Sequence, residues 1–452
     1  MRMKSKKLAV TTLAVASLLT VAACGGGSSN TPKSSQSNGG SPSGGPNLQG
    51  ASYDILGQWT GGEQKAFQAV IDAFDQQTGA TGHYTPAAGG DEAGVLGTKV
   101  AGGTPPDIAI LSLPGAIAQY ATSNKMFPVD SDVVSAVNSN FASEWGQLGS
   151  YKGKMYCVPV DAANKSTVWY NTKLFSKAGI SSPPKTWDDL FMDGKTLSAS
   201  GVQVPISVGG GDGWTLTDWF EYVYLRTAGI QKYDQLTHHE IPYTDPSVAT
   251  ALTTLKQIWG NPQLIGSPQE AVKVPFTSSV DNVFKSNPTS AIVYEASFVA
   301  TTIPSDKLPA KVGVDAKVFP FPSINGSQPV VEASGDFACA FTKNKAAQPF
   351  LAYLASSDAA QLLVGTEGSG FLSVNKNVPS SAYNDSTSAD LAKQMVEVGN
   401  NFRFDMSDQA PAEFGGTPNK GMWGDLQTFL TTGDVKATQQ QLEKDASAAN
   451  WG

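Results

Sequence analysis

Residues 151–190, YKGKMYCVPVDAANKSTVWYNTKLFSKAGISSPPKTWDDL, decide how this chain is divided. They open on a polar turn, Tyr151-Lys152-Gly153-Lys154, suited to closing a hairpin. Residues 155–160 form an apolar, strand-like run through Pro159, and residues 166–170 form a second β-rich run. A short amphipathic helix carrying Leu174, Phe175 and Ala178 follows, and Gly179 stands where a helix-ending glycine belongs. Pro183-Pro184 stiffens the chain, and Thr186 reads as the N-cap of a helix opening Trp187-Asp188-Asp189-Leu190. A strand, a polar crossing, a second strand and two capped helices describe a chain leaving one body and founding another.

At 452 residues the chain suits about two domains rather than one core. The formal net charge is −8. Setting aside Arg2, Lys4, Lys6 and Lys7, in a segment expected to be removed, leaves 27 basic against 39 acidic residues, or −12. That balance, with no basic run after the start, argues against nucleic-acid binding, which relies on clustered Lys and Arg.

Residues 1–23 have a basic start and an apolar run too short for the ~20 residues of a membrane-spanning helix, as a signal peptide does. The run ends on Ala22-Ala23-Cys24, which resembles a bacterial lipobox, so Cys24 is the expected lipidation site. From Cys24 to Gly50 the chain is dominated by Gly, Ser, Asn, Gln and Pro and reads as a flexible tether, with the folded part starting near Ala51.

Within the body, residues 52–57 read as a strand running into Gln58-Trp59-Thr60-Gly61-Gly62-Glu63, and Phe67, Val70, Ile71 and Phe74 share a helix face that ends at Gly79. Trp59 and Glu63 therefore stand beyond a strand's carboxyl end, where α/β folds bind ligands; the alternative for Trp59 is a plug under the loop. Asp107 stands at the start of a buried strand. Residues 204–208 enter Gly209-Gly210-Gly211-Asp212-Gly213-Trp214, which lacks the Lys and Ser/Thr of a phosphate-binding loop and presents Trp214 instead. His238 and His239 are adjacent, so they share no helix face, and no metal or cofactor is expected. The last helix is placed at residues 422–430.

In their order and spacing these pieces resemble the extracellular solute-binding proteins of ABC importers, in the sugar-binding, maltose-binding-protein-like branch. The resemblance rests on Tyr151-Lys152-Gly153-Lys154 with Tyr156, Pro159 and Asp161, on Tyr170-Asn171, Phe175 and Ala178-Gly179-Ile180, and on Pro183-Pro184-Lys185-Thr186-Trp187 with Leu190. Ser286-Asn287-Pro288 with Ala291-Ile292-Val293-Tyr294-Glu295, and residues 368–374, extend it, as do the lipobox and tether. It implies an α/β, two-lobed periplasmic-binding-protein-like fold of type II with a hinge and an interlobe cleft. Residues 51–160 and 336–375 would form lobe 1; residues 161–335 and a helical part, 376–452, would form lobe 2. Crossings are expected near Val160-Asp161, at Ser334-Gly335-Asp336 and shortly after Phe371.

The same resemblance implies a monomer that captures a mono- or oligosaccharide and delivers it to permease subunits without catalysis. It would be exported and held by lipid on Cys24 at the outer face of the bacterial cytoplasmic membrane. Sugar recognition needs aromatic faces for C–H surfaces and carboxylates for hydroxyls. Trp59, Trp214, Phe298 and Trp423 are the candidate platforms; Glu63, Asp107, Asp161, Glu295, Asp336 and Glu367 are the candidate acceptors. Arg403 and Asp405 read either as a ligand-facing pair or as a structural salt bridge, and residues 403–408 with Trp423 look like the α-glucoside branch. Cys157 and Cys339 fall in β-rich runs beside the crossings, either as a disulfide or as two small buried thiols. Paired carboxylates among aromatics also describe a glycoside-active enzyme, and a sugar-binding surface adhesin is a third reading.

Overall fold

The first half of the quoted stretch lies at the edge of a five-stranded sheet, in the order Thr81–Pro86, Ser52–Gly57, Ile108–Leu111, Phe337–Ala340, Cys157–Pro159. The first three strands are parallel, with helices Gly61–Thr78 and Glu92–Ala101 making the crossovers that parallel pairing demands. The other two are antiparallel returns, and the edge position tolerates Pro159, which has no N–H to donate. Cys339 pairs directly with Cys157 across these returns, and a disulfide joins them. Of the two readings left open by the sequence, the bonded one is observed.

A computed structural model describes residues 46–451 apart from 89, 90 and 306. The expected signal peptide, Cys24 and most of the tether lie outside the described residues. The body begins earlier than Ala51, because Leu48 is buried in the first core and its N–H donates to the Thr78 carbonyl at 2.8 Å.

The second half of the quoted stretch founds a four-stranded sheet, ordered Ala316–Pro320, Thr167–Asn171, Ile292–Tyr294, Ile206–Ser207. Thr186 caps helix Trp187–Ala199 in a full capping box. Its hydroxyl accepts from Asp189 N–H at 3.1 Å, and the Asp189 carboxylate accepts from Thr186 N–H at 3.0 Å. Helices Trp214–Ala228 and Pro246–Trp259 cover this sheet with buried Trp219, Tyr222, Tyr224 and Trp259. Two large hydrophobic clusters result, one around each sheet.

Between them lies a three-stranded sheet of Ala163–Asn164, Glu332–Ser334 and Arg403–Phe404. The first two strands lie next to Val160-Asp161 and at Ser334. The third comes later than expected. Leu372 does touch the first crossing, its carbonyl accepting from Ala162 N–H at 3.0 Å. Yet Val378, Ala382, Met395, Phe402 and Phe404 still pack on the first cluster, and the second resumes only at Met406. These residues therefore pack with the first sheet, while Leu391 and Ala392 form a small cluster with Leu372 on which Val318 of the second sheet also packs. Helix Gly421–Thr432 is also not the last, since Val435–Ala448 follows and buries Leu442 and Ala446. Among the described residues no helix is long and apolar enough to cross a membrane.

Candidate functional site

A cleft of about 750 Å³ opens between the two sheets, floored by Ala163, Lys165, Ser334, Gly335 and Asp336 from the crossings. Its first wall comes from loops beyond the strand ends Gly57 and Leu111, with Gln58, Trp59, Glu63, Ser112 and Leu113, joined by Asp91 and Glu92 at a helix start. Its second wall holds Trp214, Phe276, Phe298 and Trp423. The cleft thus sets a carboxyl-rich face against an aromatic one.

On the aromatic side, ring centroids of Trp214 and Phe276 are 5.1 Å apart, those of Trp214 and Phe298 5.7 Å, and those of Phe276 and Phe298 5.4 Å. Such tilted and edge-on contacts lock the rings against one another and preorganise the surface. Gly213 has φ +85°, and a Cβ there would stand 2.8 Å from the Cβ of Trp423, so glycine lets Trp423 close onto the Trp214 turn. The Trp423 indole N–H has no hydrogen-bond partner among the described residues.

On the opposite side, Asp336 accepts from Trp59 Nε1–H at 2.8 Å and from Gln58 Nε2–H at 3.3 Å, while its own N–H donates to Asp161 at 2.8 Å. Burial raises the Asp336 carboxyl to about 6, held back by the Trp59 and Gln58 donors. Glu63 is pushed to about 8 by burial and by Asp336. Glu92 also reaches about 8 through burial, against a hydrogen bond donated by Ser112 at 3.0 Å. Burial and Asp336 likewise raise Asp161. At neutral pH this face offers protonated and ionised carboxyls together, hence donors as well as acceptors.

Six of the ten residues picked from sequence line the cleft: Trp59, Glu63, Trp214, Phe298, Asp336 and Trp423. Trp59 is only 3% exposed, its ring enclosed edge-on by Phe67 and Phe371 at 4.9 Å each. It is a plug that turns its N–H toward the cleft, not an open platform. Asp161 stands at the crossing beside the lining.

The other three lie elsewhere. Asp107 precedes strand Ile108–Leu111, at the end away from the cleft, and ties strand ends together by accepting from Thr342 Oγ1–H, from Asn344 Nδ2–H at 2.9 Å and from Asp54 N–H at 3.0 Å. Glu295 is buried behind the lining, and one of its carboxylate oxygens lacks a partner among the described residues. Glu367 is exposed on the turn after helix Ser357–Gly365. Arg403 and Asp405 do not pair with each other: Arg403 Nη2 donates to Asp234 at 3.0 Å, and Asp405 meets Lys165. His239 is half-buried against Trp451 and Glu443.

Sequence reasoning passed over Lys165, Asp218, Glu92 and Phe276. Asp218 follows Trp214 by four residues in a helix, a spacing that places both on one face and was available as a signal. Lys165 is the lone cation between Lys154 and Lys173, in the polar crossing between two β-rich runs. Among the described residues no group of His, Cys, Asp and Glu side chains suits a metal ion.

The sequence pattern described as bacterial extracellular solute-binding protein matches residues 59–361. The alpha-glucosides-binding periplasmic protein AglE of Rhizobium meliloti is 29% identical over 416 residues, covering 88% of each chain. The osmoprotective compounds-binding protein GgtB of Synechocystis is also 29% identical over 416 residues, covering 88% of this chain and 94% of that one. Among solved structures, the bacterial solute receptor AcbH, described as preferring β-D-galactopyranose, superposes with a TM-score of 0.74 at 20% identity over 88% of this chain and 98% of its own. That likeness speaks to the two-lobed fold.

Proposed function

The chain belongs to the bacterial extracellular solute-binding proteins, and on that premise we propose that its cleft captures a neutral sugar, an α-glucoside, for the permease subunits of an ABC importer. One observation carries the ligand class: an aromatic wall faces a carboxyl-rich wall across the cleft. A pyranose presents C–H faces to rings and hydroxyls to carboxyls, and each hydroxyl both donates and accepts. Asp91, Asp212, Asp218 and Asp408 add to the acidic character around a single lysine, Lys165, which disfavours an anionic ligand. The cleft volume falls in the usual range of roughly 300–1,000 Å³ for small-molecule sites. The name of the Rhizobium relative supports an α-glucoside.

Ligand contacts to both walls would favour the closed arrangement, which the permease would then recognise. Binding without turnover, a monomeric body, export, and lipid attachment through Cys24 at the outer face of the cytoplasmic membrane complete the proposal. The anchor is supported by Ala22-Ala23-Cys24 and the polar tether behind it.

Thermal shift against a sugar panel tests the reading, since a ligand at 100 times its dissociation constant adds about 2.7 kcal/mol. An α-glucoside should give the largest shift and come back intact when the complex is denatured. Shortened products would mean catalysis instead, and no shift with any sugar would overturn the ligand class. For the anchor, Cys24→Ser should release the protein from membranes.

A further inference from the structure

Helix Trp214–Ala228 carries Trp214, Thr217 and Asp218 at positions i, i+3 and i+4, and all three line the cleft. Asp218 is 1% exposed. One of its carboxylate oxygens accepts from Lys165 Nζ at 2.8 Å; the other has no hydrogen-bond partner among the described residues. Lys165 follows the first crossing strand, Ala163–Asn164, and its ammonium also meets Asp405, which follows the third, Arg403–Phe404. Asp405 is itself fixed by Ser407 Oγ–H and Asp408 N–H, each at 2.8 Å.

A lysine shared by two carboxylates has one place to sit, so the first oxygen of Asp218 is immobilised and the second is held buried and unpartnered at the cleft lining. Leaving a buried acceptor unpaired is costly, and a ligand hydroxyl would relieve that cost. A sugar ring lying on Trp214 would bring its hydroxyl edge within reach of Asp218, one helical turn on. We propose that Asp218 is a specificity-determining acceptor for one ligand hydroxyl, and that Lys165 and Asp405 are positioning residues that aim it. This rests on the carbohydrate reading above.

Calorimetry with methyl α-D-glucopyranoside, its monodeoxy analogues, maltose, sucrose and raffinose tests the assignment. Sites built to hydrogen-bond a hydroxyl reject the analogue lacking it, so wild type should bind one monodeoxy analogue at least about tenfold more weakly than the parent. Asp218→Asn should lose about tenfold or more for the parent and nothing further for that analogue. Lys165→Gln should weaken binding in the wild-type background but not in the Asp218→Asn background, a coupling that a merely structural lysine would not show. If Lys165→Gln does not fold, the Asp218→Asn series still decides. An Asp218→Asn protein that treats parent and analogues as wild type does overturns this assignment alone. Equal effects of Lys165→Gln in both backgrounds overturn the positioning role. A wild-type protein that binds none of these sugars overturns the carbohydrate reading and this assignment with it.

Discussion

The indole N–H of Trp59 donates to the Asp336 carboxylate at 2.8 Å, tying the loop after the first strand to the second crossing. With the Trp59 ring enclosed by Phe67 and Phe371, the bond is shielded from water and joins cleft wall to hinge.

Trp59→Phe keeps an aromatic plug and removes the donor. A hydrogen bond to a charged group contributes about 1.5–3 kcal/mol, and the smaller ring adds to the loss, so urea denaturation should show at least about 1.5 kcal/mol of destabilisation. Sugar affinity should fall as well, because Asp336 loses the donor that favours its charged form. Wild-type stability in the variant would show that the bond does not anchor this loop.

Trp214 and Trp423 both face the cleft but differ beneath it. Trp423 packs on the second hydrophobic cluster, whereas the Trp214 ring packs with Phe276 and Phe298 of the aromatic wall. Trp214→Ala should therefore lower sugar affinity by more than about tenfold, or 1.4 kcal/mol, with little change in the unliganded melting temperature. Trp423→Ala should reduce both. Calorimetry and thermal melts on the two variants separate the roles; an unliganded protein hurt more by Trp214→Ala than by Trp423→Ala would reverse them.

What could be read from residue types was local. The strand Ser52–Gly57 and the capping box at Thr186 depend on neighbours within a few residues, and both stand where sequence placed them. The aromatic lining was legible because Trp214 follows a glycine run that had no phosphate-binding chemistry. Asp107 was misplaced because a carboxylate beside a strand does not announce whether it sits at the cleft end or the far end. Lys165 and Asp218 escaped for another reason: their ion pair joins residues 53 apart in the chain, with Asp405 240 residues from Lys165. The helix Val435–Ala448 was missed because its mostly polar sequence buries only Thr438, Leu442 and Ala446.

Stability should rise as pH falls from about 8 toward 5.5. Glu63 and Glu92 have folded values near 8 against ordinary values of 4.5, raised chiefly by burial. The folded protein therefore keeps protons that the unfolded chain releases, and this contribution is full below about 4.5 and lost as pH climbs through 8. Asp405 works the other way: burial opposes its charge, but Lys165 and the Ser407 and Asp408 hydrogen bonds hold it below its ordinary value. Its contribution is lost only as pH falls through that lowered value. Melts of the unliganded protein across this range should slope accordingly, and Glu92→Gln should flatten the slope. A melting temperature that increases toward pH 8 would contradict the burial argument.

The Cys157–Cys339 disulfide closes a loop spanning 182 residues, including much of the second lobe, yet both sulfurs belong to the first sheet. Loop-closure arithmetic for that span gives up to about 5 kcal/mol, and measured values for disulfides are commonly about 2–4. Replacing both cysteines with alanine should lower stability by that order. Sugar affinity should stay near wild type, since neither residue lines the cleft. An affinity loss of the same size as the stability loss would show that the bond also governs the cleft.

Among the described residues the rims of the cleft touch on both sides, and at each side a glycine stands where a Cβ would meet the other rim. Thr301, on helix Val299–Ser305 beside the second sheet, donates its hydroxyl to the Ser369 carbonyl of the first lobe at 3.0 Å. On the other rim Gly115 N–H donates to the Asp408 carbonyl at 2.9 Å. Gly370 has φ +65°, and a Cβ there would fall 1.8 Å from Thr301 Oγ1 and 2.8 Å from its backbone N. A backbone nitrogen cannot turn aside as a side chain can, so Gly370→Ala must push the rims apart as well as strain its own backbone. Each lobe keeps its own core, so the variant should fold while binding sugar at least about tenfold more weakly, the cost being that of a closed state made less populated. Small-angle scattering with saturating sugar should report a larger radius of gyration than wild type. Thr301→Val, which keeps the volume and loses only the hydroxyl, should weaken binding less than Gly370→Ala. If Gly370→Ala closes and binds as wild type does, the contact at this rim follows closure without limiting it.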